Sequence, residues 1–327
     1  MLIGGLTMDD GSSALRNKTR PPRPAGPPRG AGRGTVLPHH RRRRLMALGL
    51  LAAFALVAGA VVGAGAAKVH RTTQAPTGYF SRIHTLAGTG TGSLAAAEES
   101  AGDAAIDRTL AYTPYVRIAG SQHREIALTF DDGPGPYTPR LLDELQRLHV
   151  PATFFEIGFM FHWFHTSASR ELRIGDVIGD HTETHPMMAE LSSSAQQSEI
   201  VDQTEWVRKY GGPFPRLWRP PYGSYNATTL AILHHEHMLM VLWTVDTDDY
   251  LRPGVGVIVQ TALVRARAGA IILMHDGGGD RSQTIAALPL IVNGLRKRGY
   301  KLVTVPQLIL DDPPRHIQPL PTKLAGD

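Results

Sequence analysis

Thr129-Phe130-Asp131-Asp132-Gly133-Pro134 places two adjacent carboxylates where an apolar run, Ile126-Ala127-Leu128, gives way to a Gly-Pro turn. Neighbouring carboxylates repel each other, so such a pair needs a cation, a shared proton or open water. Taken alone, the hexapeptide is also ordinary turn chemistry. Downstream, His181 and His185 stand four residues apart, and Arg219, Asp249 and His275 each follow a strand-like run. On a helical turn, two imidazoles at that spacing share a face and can chelate one ion. With one carboxylate and open positions, that donor set suits zinc or a similar divalent ion. Thr182 stands where a zincin needs Glu, so this is not that motif. His162 and His165, and the group His234, His235 and His237, have comparable spacings but no carboxylate at a strand end.

These residues can meet only if strands deliver them to one rim. Residues 126–130, 152–157, 176–178, 216–218, 239–244, 270–274 and 301–305 read as strands. Helices are expected between them at 139–148, 192–210, 226–235, 256–266 and 283–298, with Ser192 as an N-cap and Gly299 as a C-cap. Residues 158–174 are left without an assigned element, because Phe159–Phe164 is aromatic without clear periodicity. Alternating β and α runs imply a parallel sheet, as a barrel or a doubly wound layer. In a barrel, positions just past strand C-termini share one face, and every chemical candidate falls there. The expectation is an α/β fold, a distorted TIM-like (β/α) barrel with about seven parallel strands.

The surrounding chain sets the context. Hydrophobic residues make up 42% of the 327, enough for a substantial core. The net charge of +5 is misleading, because residues 1–44 alone carry ten Lys/Arg against two Asp. The basic excess belongs to the tail, so the folded part is not expected to bind nucleic acid. With no cysteine, the chain has no disulfide, thiolate ligand or cysteine nucleophile, and any metal must rest on His and Asp/Glu. Residues 1–44 read as a disordered basic cytoplasmic tail. Residues 45–67 carry no charge; as a helix of about 34 Å they would cross a ~30 Å hydrocarbon core as a single-pass anchor. Arg41-Arg42-Arg43-Arg44 keeps the N-terminal side in the cytoplasm and sends the rest outside. A cleaved signal segment is the alternative, and it would leave a secreted protein. Residues 68–120 read as a linker with a short helix around 94–105, residues 121–311 as the catalytic domain and 312–327 as a C-terminal tail. Gly59 and Gly63 form a GxxxG pair, too weak a pattern here to fix an oligomeric state.

Residues 124–310 resemble the polysaccharide deacetylase family, carbohydrate esterases that remove acetyl groups from chitin-like and peptidoglycan-like sugars. Five motifs stand in that family's order. The resemblance implies Asp131 as general base and Asp132 as metal ligand, with His181 and His185 of His181-Thr182-Glu183-Thr184-His185 completing the metal site. Arg219-Pro220-Pro221-Tyr222-Gly223 would supply an Arg that steadies the base and a Tyr222 amide for the oxyanion. Asp246-Thr247-Asp248-Asp249-Tyr250 would supply Asp249 to tune the catalytic histidine, with Tyr250 standing where the family usually has Trp. Ile271-Ile272-Leu273-Met274-His275 would supply the general acid, with Leu273 as the acetyl-pocket residue.

The implied reaction is hydrolysis of N-acetyl groups on an extracytoplasmic polymer of N-acetylglucosamine, peptidoglycan- or chitin-like, with metal-bound water as nucleophile. Arg219 would keep Asp131 ionised through a bidentate contact, and Asp249 would raise the pKa of His275. An O-acetyl esterase acting on acetylated xylan is the alternative. An inactive glycan-binding module would have lost the base or the acid, and Asp131 and His275 are both present. Asp276-Gly277-Gly278-Gly279-Asp280 lacks the Lys-Ser/Thr of a P-loop and reads as a flexible lip of the site.

Overall fold

The computed structural model describes residues 91–319. The expected basic tail, the apolar run 45–67 and the first part of the linker lie outside those residues. Among the described residues no helix is long and apolar enough to cross a membrane.

The chain runs α1 (Thr91–Leu110), β1 (Tyr115–Val116), β2 (Glu125–Gly133), α2 (Thr138–Leu148), β3 (Thr153–Glu156), α3 (Phe161–Ile174) and β4 (Val177–Asp180). It continues through α4 (Ser193–Lys209), β5 (Leu217–Trp218), α5 (Ala227–His235), β6 (Leu239–Val241), β7 (Val245–Asp246) and α6 (Val255–Arg265). It then completes β8 (Ala270–His275), α7 (Ser282–Lys297), β9 (Lys301–Val303) and α8 (Val305–Asp311). The strands form one sheet in the order β1-β6-β5-β4-β3-β2-β8-β7, with β9 joined to the start of β2. All ladders between these strands are parallel.

All seven expected strands are present, and β1 is an addition. The expected strand 239–244 breaks: Leu242, Trp243 and Thr244 separate β6, paired with β5, from β7, paired with β8. Because one run of chain touches both flanks, the sheet curls back on itself. It closes incompletely at that break, giving a curled half-barrel rather than a closed ring.

Alternation along the strands sorts the side chains. Ile126, Leu128 and Phe130 of β2, with Ile272 and Met274 of β8, pack outward against Leu141 and Leu145 of α2 and Leu288 and Ile291 of α7. The intervening positions turn inward, where Ala127, Phe155, Leu217, Val241 and Ile271 form a second core. An even number of residues beyond these inner positions come Asp131, Arg219 and His275, each reached by continuing the same parity. Strand period and strand ends therefore suffice to collect the chemistry on one inner rim.

The inner core is filled from below by α1 and α8, through Ala105 and Ile106 and through Val305, Leu308 and Ile309. The helix expected around 94–105 is thus longer and part of the fold, and the packed region starts before residue 121. The C-terminal segment is also tied down to residue 318. The Gln318 amide accepts from the N–H groups of Arg117 and Ile118 and donates to the Tyr115 carbonyl, satisfying the edge strand β1. Ser192 caps α4 as expected, accepting from Ala195 N–H, and Gly299 takes φ 78° beyond α7.

Candidate active site

Asp131 ends the inner row of β2 almost fully buried. Its Oδ1 lies 2.7 Å from Arg219 Nη1, which also donates to Thr129 Oγ1 at 2.8 Å. Arg219 Nε donates to the Val241 carbonyl, and the guanidinium lies 4.0 Å over the Phe155 ring. Gly179 makes room for that ring, since a Cβ there would collide with it. The expected bidentate Arg219–Asp131 pair is instead a single contact through Nη1, which Thr129 shares, while Val241 engages Nε. Burial raises the Asp131 carboxyl to about 6, with Arg219 and then His275 opposing it.

Asp132 adopts φ 73°, and the β2–β3 register shifts between Asp131 and Gly133. That bulge turns Asp132 towards the histidines, with its Oδ1 3.7 Å from His181 Nε2 and 3.2 Å from His185 Nε2. Neighbouring side chains on an extended strand would diverge, but here both carboxylates approach His181, Asp131 Oδ2 lying 3.8 Å from its Nε2. Burial would raise Asp132, yet the His185 ring beside it holds its carboxyl well below the usual range.

The two histidines do not sit on a helical turn, contrary to the expectation from their spacing. They occupy the loop after β4, where Thr182 and His185 both take positive φ, at 69° and 61°. Asp180 accepts from Thr182 N–H and Thr182 Oγ1 accepts from His185 N–H, so hydrogen bonds within the loop replace a helix. His181 Nδ1 faces the Arg219 carbonyl at 2.8 Å, which makes Nδ1 the donor and leaves the Nε2 lone pair towards Asp132. Burial, then the His185 ring, holds His181 well below its ordinary pKa, in the neutral form a ligand needs. One ligand atom from each of Asp132, His181 and His185 lies within 4.8 Å of the others. The geometry, tautomer and charge of this trio fit a divalent cation.

Across the rim, His275 Nδ1 lies 2.7 Å from Asp249 Oδ1, and His275 N–H donates to Asp249 Oδ2 at 2.9 Å. Thr284 Oγ1 donates to the same Oδ2 at 2.6 Å. Burial would lower His275, but Asp249 outweighs it and takes the imidazole up to about 9. Asp249, despite burial, is held below its ordinary value by His275 and Thr284.

Leu273 shares the inner face with His275, whereas Met274 packs in the outer core. Tyr222 takes φ 57° in the short turn Pro221–Gly223, its ring 4.6 Å from that of His185. The Tyr250 ring stands 5.2 Å from His275. Of the expected site residues, all ten therefore line one rim.

The expected flexible lip is tied down instead. The N–H groups of Asp276 and Gly277 reach the Asp131 carbonyl, Arg281 Nε donates to the Gly277 carbonyl, and a Cβ on Gly277 would run into the Asp132 backbone. Sequence reading assigned no role to Thr129, Asp180 or Thr284, and placed Asp276 only in the lip. Thr129 opens the first motif, and Asp180 and Asp276 adjoin His181 and His275, which is the signal that was available; Thr284 lies within a helix and offered none. The decoy histidines His162, His165, His234, His235 and His237 are not in the cluster of Asp132, His181 and His185.

Comparisons with known proteins bear on this arrangement. The model of the polysaccharide deacetylase family matches residues 119–241. A peptidoglycan-N-acetylglucosamine deacetylase of Bacillus cereus is 40% identical over 187 residues, which is 56% of this chain and 87% of that protein. A chitooligosaccharide deacetylase of a Bradyrhizobium strain is 36% identical over 207 residues, 59% of this chain and 94% of that one. The crystal structure of the Bc1960 peptidoglycan N-acetylglucosamine deacetylase aligns with a TM-score of 0.58 at 32% identity, covering 60% of this chain and 92% of that chain.

Proposed function

The chain belongs to the polysaccharide deacetylase family, and on that footing we propose that it removes N-acetyl groups from an extracytoplasmic polymer of N-acetylglucosamine, peptidoglycan- or chitin-like. The observation that carries the reading is the pairing of a buried Asp131–Arg219 contact with a His275–Asp249 contact across the same rim.

Asp132, His181 and His185 would hold a divalent cation, for which zinc is proposed. When bound, it would polarise the acetyl carbonyl and lower the pKa of a coordinated water. Asp131 takes the proton of the attacking water, and Arg219 keeps that carboxylate ionised and oriented. The backbone N–H of Tyr222 is proposed to meet the developing oxyanion. His275, kept protonated by Asp249, hands its proton to the departing nitrogen as the C–N bond breaks, leaving acetate and a free amine. Leu273 and Tyr250 are proposed to wall the acetyl pocket. The apolar run 45–67, with arginines before it, supports an anchor that leaves the catalytic part outside the cytoplasm.

The test is acetate release by the full-length chain from N-acetylglucosamine oligomers and from acetylated xylan, with and without chelator. Release from the oligomers that chelator abolishes and divalent metal restores is expected. Release from acetylated xylan alone would move the protein to O-acetyl esters, and chelator-resistant turnover would remove the cation from the mechanism.

A further inference from the structure

Register pairs Glu125 of β2 with Lys301 of β9 and Ile126 with Ala270 of β8, so residues 124, 269 and 300 lie side by side at the end of the sheet opposite the catalytic rim. Helices α6 and α7 finish at the same end, where the Arg298 guanidinium donates to the Leu263 carbonyl and the Arg124 guanidinium to the Arg298 carbonyl. Arg124, Arg265, Arg267, Arg296, Lys297 and Arg298 are all exposed there. Among the described residues none of these six forms an ion pair. The acids of this end are engaged by other groups: Glu125 by Lys301 at 2.9 Å, Asp312 by His123 N–H at 2.6 Å and Asp311 by Gln307 Nε2 at 2.7 Å. Arg117, held below its ordinary pKa by burial and then by Arg267, adds one more cation beside them.

This excess is local, since beyond residue 44 acidic residues slightly outnumber basic ones. The helix dipole accounts for Arg265, Arg296 and Lys297 in the last turns of α6 and α7, but Arg124 and Arg267 lie ahead of strands and gain nothing from it. Apolar surface adjoins the cations. Helix α6 carries no charge before Arg265, and α7 none before Arg296. The two helices are in close contact, because a Cβ on Gly294 would meet the Leu263 side chain. Val257, Gln260 and Val264 mark the exposed face of α6, and Ala286, Leu290 and Asn293 that of α7. Val264, next to Arg265, is 71% exposed, and Leu290 is 52% exposed. A soluble polyanion gains nothing from exposed valine and leucine, whereas a bilayer interface takes apolar side chains and cations together.

We propose that the exposed faces of α6 and α7, with the cations at their C-terminal ends, form a footing on an anionic phospholipid surface that turns the catalytic rim away from the bilayer. The inference rests on the proposed anchor and is independent of the substrate. Residues 68–90 separate the apolar run from α1, and a chain of that length spans at most ~80 Å, so the bilayer stays within reach. Each cation near an anionic surface contributes roughly fivefold in affinity, and a tether makes even a weak contact effective.

The chain has no cysteine, so Asn293→Cys or Leu251→Cys places a single dye on α7 or at the rim. The full-length protein is reconstituted in vesicles of phosphatidylcholine, alone or with one third phosphatidylglycerol, that carry a headgroup acceptor. Energy transfer from position 293 should rise with phosphatidylglycerol and exceed that from position 251. It should fall back in ~1 M salt, where the Debye length is ~3 Å. The triple variant Arg265→Gln/Arg267→Gln/Lys297→Gln removes cations whose side chains make no hydrogen bond among the described residues. It should abolish the rise, a loss on the order of a hundredfold in affinity, while its unfolding midpoint holds. Transfer equal in both lipids, or equal from both positions, in a chain that floats with the vesicles would overturn the footing alone. No rise with phosphatidylglycerol, but polyphosphate bound by the wild type and not by the triple variant, would assign the cations to a soluble polyanion and overturn the lipid footing. A chain that floats with neither vesicle would overturn the anchor and the footing together. One that floats only with phosphatidylglycerol vesicles would overturn the anchor and uphold the footing.

Discussion

Asp131 and His275 are register partners on the adjacent parallel strands β2 and β8, so the base and acid candidates face the same interior one strand apart. Their surroundings move them in useful directions. Burial takes Asp131 to about 6, against Arg219, while Asp249 overrides burial to take His275 to about 9. A base must be ionised and an acid protonated, so activity should rise as pH passes about 6 and fall as it passes about 9. A bound cation would carry the lower limb further down. Asp249→Asn removes the carboxylate that holds the proton on His275, and the upper limb of kcat/KM should move to lower pH. An upper limb unmoved in that variant would detach Asp249 from the acid.

A second pH dependence concerns stability. Glu156 at the end of β3, Glu171 of α3 and Asp276 are buried, and burial first, then neighbouring carboxylates, raises all three: Glu171 and Asp276 act on Glu156, Asp276 on Glu171, and Asp132 and Asp131 on Asp276. Asp276 and Asp176 reach about 7. The folded chain thus keeps protons that the unfolded chain releases. That stability is present in full below the ordinary carboxylate range and is lost as pH rises through about 7. Asp132 and Asp249, held low, act oppositely and only as pH falls into that range. The unfolding midpoint should therefore be higher near pH ~5.5 than at pH ~8.5, by several degrees, and Glu171→Gln should flatten the decline. A midpoint that climbs across this interval would mean that the cluster is ionised and compensated.

Much of this was legible in the chain because strand period and strand ends carry the site. Ile126-Ala127-Leu128 and Ile271-Ile272-Leu273 are unbroken apolar runs, as strands buried on both faces must be, and the chemistry follows each directly. What was not legible depended on backbone turns. Positive φ at Asp132, Thr182 and His185 is uncommon outside glycine and only weakly favoured by Asp and His, so the bulge and the loop between the histidines could not be read. Helix α1 looked like linker because Ala-rich sequence with scattered acids shows its apolar face only once α8 lies against it.

The proposed anchor and its orientation rest on Arg41-Arg42-Arg43-Arg44 preceding the uncharged residues 45–67. A reporter that works only outside the cytoplasm, fused after Asp327, should be active, and protease added to intact cells should reach the catalytic part. Activity of a cytoplasm-only reporter at the same junction would overturn export, and with it access to a wall polymer.

The last expectation divides the paired carboxylates. Distance to His181 does not separate them, since Asp131 Oδ2 and Asp132 Oδ1 lie 3.8 and 3.7 Å from its Nε2. Their second contacts do. Asp131 Oδ1 is engaged by Arg219 at 2.7 Å, while Asp132 Oδ1 also reaches His185 at 3.2 Å. A carboxylate held by a guanidinium is positioned to take a proton, and one between two imidazoles to share their cation. Asp131→Asn should therefore cut turnover by ~10²–10⁴-fold while metal, measured on the purified chain, stays bound. Asp132→Asn should lower metal affinity as well as rate. Metal loss in Asp131→Asn with metal retained in Asp132→Asn would reverse the roles. If neither substitution slowed acetate release even about tenfold, ~1.4 kcal/mol of barrier, the pair would be a turn and nothing more.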